Sequence, residues 1–297
     1  MKLSEMDRKR KTVFSFEVFP PKKTSPLETV TNTIGELKQF EPDFISVTFG
    51  AGGSLADNST CKIASMLKNQ YQIEPLAHLA CVNLSRSEVL EVLARLQNAG
   101  VENVLALRGD RDPARTQKED FHYACELIEL IRENSSMEIA AACYPETHPE
   151  ALSPEEDIRH LREKVNAGAT HLISQLFFDN HDFIDFLYRV RSAGIEVPVE
   201  AGIMPVVNKK QVERMVSLCG ASLPKKFAKM MNRYGDDPEA MYDAGIAYAS
   251  EQIIDLVSSG VQGIHLYTMN NPEVASRICC NVRSIIHCVN RQPGAAD

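Results

Sequence analysis

Short apolar runs alternate with longer amphipathic segments along this 297-residue chain. The runs are rich in β-branched and aromatic residues, and together they predict eight buried strands. The predicted strands begin near Val13, Phe44, Pro75, Asn103, Glu138, His171, Val197 and Ile264. The segments between them have helical periodicity, and the long interval from Gln211 to Ser259 predicts two or more helices before the eighth strand. Eight alternating strand–helix units predict an α/β fold, the (β/α)8 TIM barrel.

A repeated junction supports the barrel prediction. Four predicted helices end at a glycine that is followed at once by a predicted strand. Glycine tolerates the left-handed backbone that commonly ends a helix, so each junction marks one helix–strand boundary. The junctions are Asn98-Ala99-Gly100, Asn166-Ala167-Gly168, Ser192-Ala193-Gly194 and Ser258-Ser259-Gly260. A doubly wound open sheet is the alternative, but such a sheet usually has a phosphate-binding glycine motif after its first strand, and this chain has none there.

Composition and charge narrow the class of protein. The chain is 44% hydrophobic and 24% charged, with a formal net charge of −8, so it has no general electrostatic attraction to nucleic acid or to an anionic membrane. No apolar run is long enough to span a bilayer, and the first eleven residues lack the apolar core of a signal peptide. The eight cysteines form no Cys-x-x-Cys pair, which disfavours a disulfide framework. We expect one cytoplasmic catalytic domain over residues 1–297.

The first predicted strand carries a carboxylate. Glu17 lies within the apolar stretch from Phe14 to Phe19, and Pro20 and Pro21 then end the strand because proline cannot donate to a sheet ladder. A carboxylate near the end of a buried strand is costly unless it has a function. Active sites of barrel enzymes lie at that end, so Glu17 is a candidate catalytic residue. Alternatively, its side chain reaches solvent or a nearby lysine.

Other polar residues follow the carboxyl ends of the predicted strands, and a barrel would make them neighbours around one mouth. They are Thr48, His78 with Asn83, Arg108-Gly109-Asp110, Tyr144 with Glu146 and His148, Gln175, and Tyr267-Thr268. A glycine-rich loop, from Phe49 to Ser54, is either a flexible turn or a place where backbone approaches a ligand. The histidines lack an evident carboxylate partner, which makes a metal site the less favoured alternative. Arg108, Arg159, Arg162 and Lys164 could face a diphosphate or form a solvated surface.

The chain resembles the bacterial 5,10-methylenetetrahydrofolate reductase family over nearly its whole length. The motifs that carry the resemblance are Phe14–Lys22, Ser46–Ala51, His78–Cys81, Leu107–Asp110, Tyr144–Pro149, Gln175–Asp179, Gly202–Val206 and His265–Asn270. The resemblance implies a flavin-containing TIM barrel that binds FAD. It also implies NADH or NADPH as the co-substrate, 5,10-methylenetetrahydrofolate as the small-molecule substrate, and 5-methyltetrahydrofolate as the product of ping-pong hydride transfer.

The resemblance also implies roles for individual residues. Glu17 matches the general acid that protonates the folate nitrogen, and Asp110 matches an acid beside the flavin and the folate ring. Gln175 and Gln211 match contacts to the substrate. The positions that match FAD contacts are Thr48, Ala51, His78, Arg108, Gly109, Asp110, Tyr123, Ala124, Tyr144, His148, Asp157 and Lys164.

Several positions depart from the family pattern. Met215 stands where members stack the nicotinamide on a phenylalanine, and Asn271 stands where an arginine contacts the folate tail. Two positions on the diphosphate side are His160 and Glu163 instead of asparagine and arginine. Met215 motivates one alternative, a related folate flavoprotein that a partner subunit reduces. A separate alternative is a folate or flavin sensor without turnover, against which the acid at Glu17 argues. The ring of helices around a barrel offers surfaces for self-association, and we expect a homo-oligomer.

Overall fold

Eight parallel strands form a closed barrel in which each strand pairs with its neighbours in sequence, and β8 pairs with β1. The computed structural model describes residues 1–10, 12–21, 27–49, 58–110 and 118–291. The strands are β1 (Val13–Val18), β2 (Phe44–Val47), β3 (Glu74–Ala80), β4 (Asn103–Leu107), β5 (Glu138–Cys143), β6 (His171–Ser174), β7 (Val199–Ile203) and β8 (Gly263–Tyr267). The TIM-barrel prediction is confirmed. Seven strands begin within one residue of the predicted start, and β7 begins two residues later than predicted.

Helices connect the strands and surround the barrel. They are α1 (Leu3–Lys9), α2 (Glu28–Leu37), α3 (Ser59–Met66), α4 (Arg86–Asn98), α5 (Ala124–Asn134), α6 (Pro154–Ala167), α7 (Asn180–Ser192), α8 (Lys209–Cys219), α9 (Lys225–Tyr234), α10 (Pro238–Ser258) and α11 (Pro272–Arg291). A 3-10 turn, Lys38–Phe40, follows α2, and a π-helical turn, Leu67–Tyr71, follows α3. The interval before β8 holds α8, α9 and α10, as the sequence predicts.

The four glycines at the predicted junctions all have positive φ, at 76° for Gly100, 134° for Gly168, 75° for Gly194 and 80° for Gly260. A side chain with a Cβ is strained in this region of backbone space, whereas glycine is not. The repeated glycine therefore turns the chain from each helix directly into the next strand.

Alternation along the strands divides the interior into two regions. On β1, Phe14, Phe16 and Val18 face outward and join the apolar cluster between the strands and the helices. Ser15 and Glu17 occupy the intervening positions and face into the barrel. At the amino end of the strands, an apolar layer fills the barrel and packs against Leu3 and Met6 of α1. Helix α1 therefore closes the end of the barrel opposite the predicted active site.

A second apolar cluster joins α8, α9 and α10 to the segments that follow β6 and β7. Its centre is a stack of the Phe178 and Phe227 rings, whose centroids lie 4.8 Å apart. Tyr248 packs edge-on against Phe227 and donates a hydrogen bond to the Phe178 carbonyl at 2.6 Å. The cluster fixes one wall beside the carboxyl ends of the strands. No helix in the described part of the chain is long and apolar enough to cross a membrane.

Candidate active site at the carboxyl ends of the strands

Glu17 lies near the carboxyl end of β1 and is only 6% exposed. In the sheet register it is level with Ser46 of β2 and Tyr267 of β8. The Thr268 hydroxyl donates to the Glu17 carbonyl at 2.6 Å, which fixes the backbone at this point. The Ser46 hydroxyl faces the carboxylate, whereas the Tyr267 hydroxyl donates to the Ser174 carbonyl at 2.7 Å. The lysines after Pro21 that would be its alternative partners lie outside the described residues.

Two imidazoles and a hydroxyl surround the Glu17 carboxylate. Its Oε2 lies 3.5 Å from Nε2 of His78, 3.8 Å from Nε2 of His265 and 3.5 Å from Oγ of Ser46. Burial lowers the pKa of His78 to about 4, although the charge of Glu17 opposes this effect, so the His78 ring is neutral at pH 7. The His78 Nε2 atom is buried and has no hydrogen-bond partner among the described residues.

Asn270 holds the segment where β1 ends. Its side-chain oxygen accepts from the Phe19 amide at 2.8 Å, and its side-chain nitrogen donates to the Phe19 carbonyl at 2.8 Å. Asn270 has a φ of 54°, a left-handed conformation that asparagine tolerates better than most residues. These two hydrogen bonds hold the end of β1, just before Pro20 and Pro21, against the segment that follows β8. Sequence analysis did not identify this clamp.

Asp110 is exposed and follows β4 at the same end of the barrel as Glu17. The pKa of the nearby Tyr144 phenol is raised to about 12. Burial is the main cause, and the negative charges of Asp110 and Asp157 add to it. The structure therefore brings both predicted acids to one mouth, where Glu17 is enclosed and Asp110 faces solvent. The residues after Asp110, 111–117, lie outside the described part of the chain.

Arg108, at the end of β4, forms a bidentate salt bridge with Glu150. Its Nη1 lies 2.6 Å from Oε2 of Glu150, and its Nη2 lies 2.8 Å from Oε1 of the same carboxylate. Gly109 follows with a φ of 86°, and a Cβ there would lie 3.0 Å from the Ala80 Cβ. The glycine lets this turn approach β3 closely, and the arginine presents a planar set of donors at the rim.

Tyr144, His148, Asp157 and Lys164 form one group beside Arg108. The Tyr144 and His148 rings meet edge to face with centroids 4.6 Å apart, and the His148 amide donates to Asp157 at 3.0 Å. Lys164 donates to the Ala142 carbonyl at 2.9 Å. Burial lowers the pKa of Lys164, an effect that the charge of Asp157 opposes. The two other cations of α6 face solvent: Arg159 pairs with Glu156 and Glu163 on the helix surface, and Arg162 is exposed.

The remaining candidates lie on several elements. Thr48 is half-buried just after β2, and its carbonyl accepts from the Thr60 hydroxyl at 2.9 Å. Tyr123 precedes α5 and is 60% exposed, while Ala124 is the buried first residue of that helix. Ala51 and most of the glycine-rich loop lie outside the described residues. Among the three of these residues that the structure describes, Thr48, Tyr123 and Ala124, Tyr123 has the largest exposed fraction.

The side chains of the two predicted substrate glutamines both form hydrogen bonds with backbone groups of nearby residues. The Oε1 atom of Gln175, just after β6, accepts from the Leu176 amide at 2.9 Å. Gln211 is in the first turn of α8; its backbone amide donates to the Asn208 side chain at 2.8 Å, and its side-chain Oε1 accepts from the Val207 amide at 3.4 Å. Met215 lies one turn later and packs, half-buried, against the second apolar cluster. Asn271 accepts from the Val274 amide at 3.2 Å and so caps α11.

In the part of the chain that the structure describes, neither a metal centre nor the groove at the opposite end of the barrel is part of this site. Among the residues described, no three or more His, Cys, Asp or Glu side chains are grouped so that they could hold a metal ion. A groove of about 480 Å³ lies near the amino ends of β1 and β2, and its lining includes Arg10, Asp43 and Tyr71. That groove is at the other end of the barrel from Glu17, so it is not part of this site.

The fold and the mouth define the class: a (β/α)8-barrel protein with a buried acid at the end where barrel enzymes carry their active sites. The family model described as methylenetetrahydrofolate reductase matches residues 2–283. The chain is 35% identical over 280 residues to 5,10-methylenetetrahydrofolate reductase of Escherichia coli (strain K12), covering 94% of this chain and 91% of that one. It is 33% identical to methylenetetrahydrofolate reductase (NADH) 1 of Arabidopsis thaliana, covering 95% of this chain and 50% of that protein.

A solved structure supports the fold separately. An uncharacterised Clostridium thermocellum protein, described as binding two copies of 5-methyl-5,6,7,8-tetrahydrofolic acid, matches with a TM-score of 0.65 and 11% identity, covering 97% of this chain and all of that one. Identity this low shows the barrel alone. The family match and the sequence identities show more: this chain belongs to the methylenetetrahydrofolate reductase family, oxidoreductases of one-carbon folate metabolism.

Proposed function

We propose that the protein reduces 5,10-methylenetetrahydrofolate to 5-methyltetrahydrofolate, with bound FAD and with NADH or NADPH as the electron donor. The observation that carries this proposal is the enclosure of Glu17, 6% exposed, between two imidazoles at the barrel mouth of a chain of this family. The Clostridium thermocellum protein that shares this fold is described as binding a folate, which is consistent with a folate ligand here. One catalytic domain, a cytoplasmic location and self-association are further parts of the proposal.

The residues at the mouth fit an anionic flavin dinucleotide. Arg108, paired with Glu150, and Lys164 supply positive charge at this end of the barrel. The buried Nε2 of His78 lies 3.5 Å from Oε2 of Glu17 and forms no hydrogen bond among the described residues, so it could bond to a ligand. Thr48, Tyr123, Ala124, Tyr144, His148 and Asp157 complete the set, with Ala51 proposed from sequence alone. When bound there, FAD would accept hydride from the nicotinamide and deliver it to the folate.

Glu17 is proposed as the general acid. The methylene bridge of the folate opens when a proton reaches the folate nitrogen, and a carboxylic acid enclosed by the barrel can hold that proton until the substrate arrives. Opening of the bridge leaves a cationic iminium on the folate, and the negative charge of Asp110 would stabilise it. Gln175 and Gln211 would position the pterin ring.

The proposal is tested with Glu17→Gln, which preserves the shape of the side chain but removes its proton. Reduction of bound flavin by the nicotinamide should stay within about twofold of wild type, because that step needs no acid. Folate-dependent oxidation of the reduced flavin should fall by about 10²- to 10⁴-fold, the usual contribution of general acid catalysis. Glu138→Gln is the control, since Glu138 is a buried carboxylate at the other end of the barrel. Near-normal folate turnover by Glu17→Gln would remove Glu17 from this role.

A second candidate differs only in the electron donor. Met215 offers a flexible thioether where a flat aromatic ring would stack on a nicotinamide, and it already packs against the second apolar cluster. In this alternative a partner subunit reduces the flavin. Stopped-flow mixing of the flavin-loaded protein with NADH or NADPH separates the two. Rapid bleaching by either nucleotide supports direct reduction, and an intact flavin that neither nucleotide bleaches supports the partner.

A further inference from the structure

The Glu150 carboxylate occupies the paired donors of Arg108 at the rim of the barrel mouth. Nη1 of the guanidinium lies 2.6 Å from Oε2 of Glu150, and Nη2 lies 2.8 Å from Oε1. The third nitrogen, Nε, donates to the Gly109 carbonyl at 3.3 Å. Arginine holds a phosphate best through two parallel N–H groups. Glu150 takes one such pair and Gly109 takes a member of the other, so a phosphate that binds in this way must displace one of these acceptors.

The two members of the ion pair are held with different firmness. The Arg108 backbone carbonyl accepts from the Val82 amide at 2.8 Å, and the Arg108 side chain is 18% exposed. The Glu150 side chain is 53% exposed, so it can turn into water at little cost in solvation. Its backbone is anchored, because the Glu150 amide donates to Nδ1 of His148 at 3.0 Å. Exchange of acceptors at Arg108 therefore needs a rotation of the Glu150 side chain and no rearrangement of the loop.

The charge of Glu150 also opposes an anion at this place. The hydrogen bonds from Arg108 to Glu150 raise the pKa of the guanidinium against the effect of burial, and the negative charge of Glu150 adds to the rise. The carboxylate thus neutralises the charge that would attract a phosphate. Lys164, the other cation on this side of the mouth, donates to the Ala142 carbonyl at 2.9 Å, an acceptor without net charge. Arg108 is therefore the cation whose attraction for a phosphate depends on an acidic side chain.

We propose that Glu150 and the diphosphate of FAD compete for the same two donors of Arg108, so that Glu150 limits how tightly the protein holds its flavin. This inference rests on the proposed function for the identity of the cofactor. The competition concerns phosphate groups. It therefore predicts that Glu150 weakens the binding of FAD and of ADP, which both carry a diphosphate, and leaves the binding of riboflavin, which carries no phosphate, unchanged.

The test is Glu150→Gln, which keeps the length of the side chain but removes its charge. Glu91→Gln is the matched control, because Glu91 on α4 also pairs with an arginine, Arg95, and its side chain is 52% exposed. The full-length chain, freed of any bound flavin, is titrated with FAD and with riboflavin by quenching of flavin fluorescence. Binding of ADP is measured by calorimetry. None of these measurements depends on catalysis.

Glu150→Gln should bind FAD and ADP about three- to tenfold more tightly than wild type, because a partly exposed ion pair no longer has to be broken. Glu91→Gln should match wild type with all three ligands, and the affinity for riboflavin should be unchanged in every variant. The gain for FAD should shrink at high salt, which screens the charges. Arg108→Gln should weaken FAD binding, and adding Glu150→Gln to it should have less than about a twofold effect, since the competition needs the guanidinium.

Equal or weaker binding of FAD by Glu150→Gln would overturn the inference, because Glu150 would then be a bystander or a support that holds Arg108 in place. An equal gain in affinity for riboflavin would also overturn it. Failure of the proposed function gives a different result. A wild-type chain that does not bind FAD, but binds ADP more weakly than Glu150→Gln does, keeps the competition and loses the flavin. A wild-type chain that binds none of the three ligands loses both.

Discussion

The buried ion pair at His171 makes a quantitative prediction about stability. The change is His171→Gln, which keeps a hydrogen-bonding side chain on β6 but cannot carry a charge. The His171 imidazole is buried between Glu200, at 2.7 Å, and Asp7, at 3.3 Å. Removing one partner of a buried charged group leaves the other uncompensated and typically costs about 3–5 kcal/mol. We therefore expect His171→Gln to unfold at clearly lower urea concentration than wild type at pH 7.

The pH dependence follows from the raised pKa. A histidine that titrates near 6.5 when unfolded and near 10 when folded stabilises the fold fully below pH 6.5. Each further pH unit removes about 1.4 kcal/mol, and the contribution is gone once the pH has passed 10. At pH 7 the linked stabilisation is about 4 kcal/mol, in line with the expected cost of the substitution. The difference between wild type and variant should therefore shrink steadily from pH 7 to pH 10.

The assay is urea unfolding, followed by circular dichroism, of both proteins at pH 6.5, 7.5, 8.5 and 9.5. The comparison with the variant is needed because other groups also make stability depend on pH. Burial raises the pKa values of thiols such as Cys81 and Cys143, so the folded state of both proteins loses stability at alkaline pH. Those groups are common to both proteins and cancel in the difference. Asp7→Asn is a second comparison and should cost less, since the Asp7 side chain is 18% exposed and more distant from the ring. A constant difference across this pH range would refute a charged His171.

Two further substitutions test the packing and the clamp. Gly263→Ala should lower the free energy of unfolding by about 1–3 kcal/mol because its Cβ would collide with Glu200. Gly35→Ala is the control: it lies in open space on α2, so it should be neutral or slightly stabilising. Equal effects of the two substitutions in urea unfolding would contradict the steric argument. Asn270→Ala should cost about 1–2 kcal/mol and speed hydrogen exchange at the Phe19 amide, since it removes both bonds to that residue; unchanged exchange there would show that the clamp is not needed.

Much of the fold could be predicted from local patterns. A strand start or a helix end depends on a few adjacent residues, as at Gly100 and Gly260, where positive φ admits glycine and resists other residues. The one displaced strand start, β7, follows Pro198, which has no amide hydrogen to donate to the ladder. Because such constraints act within a few residues, the sequence alone was sufficient for the order and number of the strands.

The candidate site was only partly predictable. Glu17 could be identified because a carboxylate in an apolar strand before two prolines is unusual, and its carboxyl-terminal position agrees with the barrel rule. Glu200, His171 and Ser15 were missed because they lie in the middle or at the amino end of their strands. Asn270 was missed because its function depends on Phe19, 251 residues away.

The amino-acid sequence determined the barrel, the end at which its polar residues collect, and the family. Alternation along a strand also determines which side chains point inward. Which inward side chains meet depends on the register between strands that are far apart in the chain, and on closure of β8 against β1. That closure placed His265 beside Ser15 and Gly263 beside Glu200, so only the tertiary structure revealed these buried contacts inside the barrel.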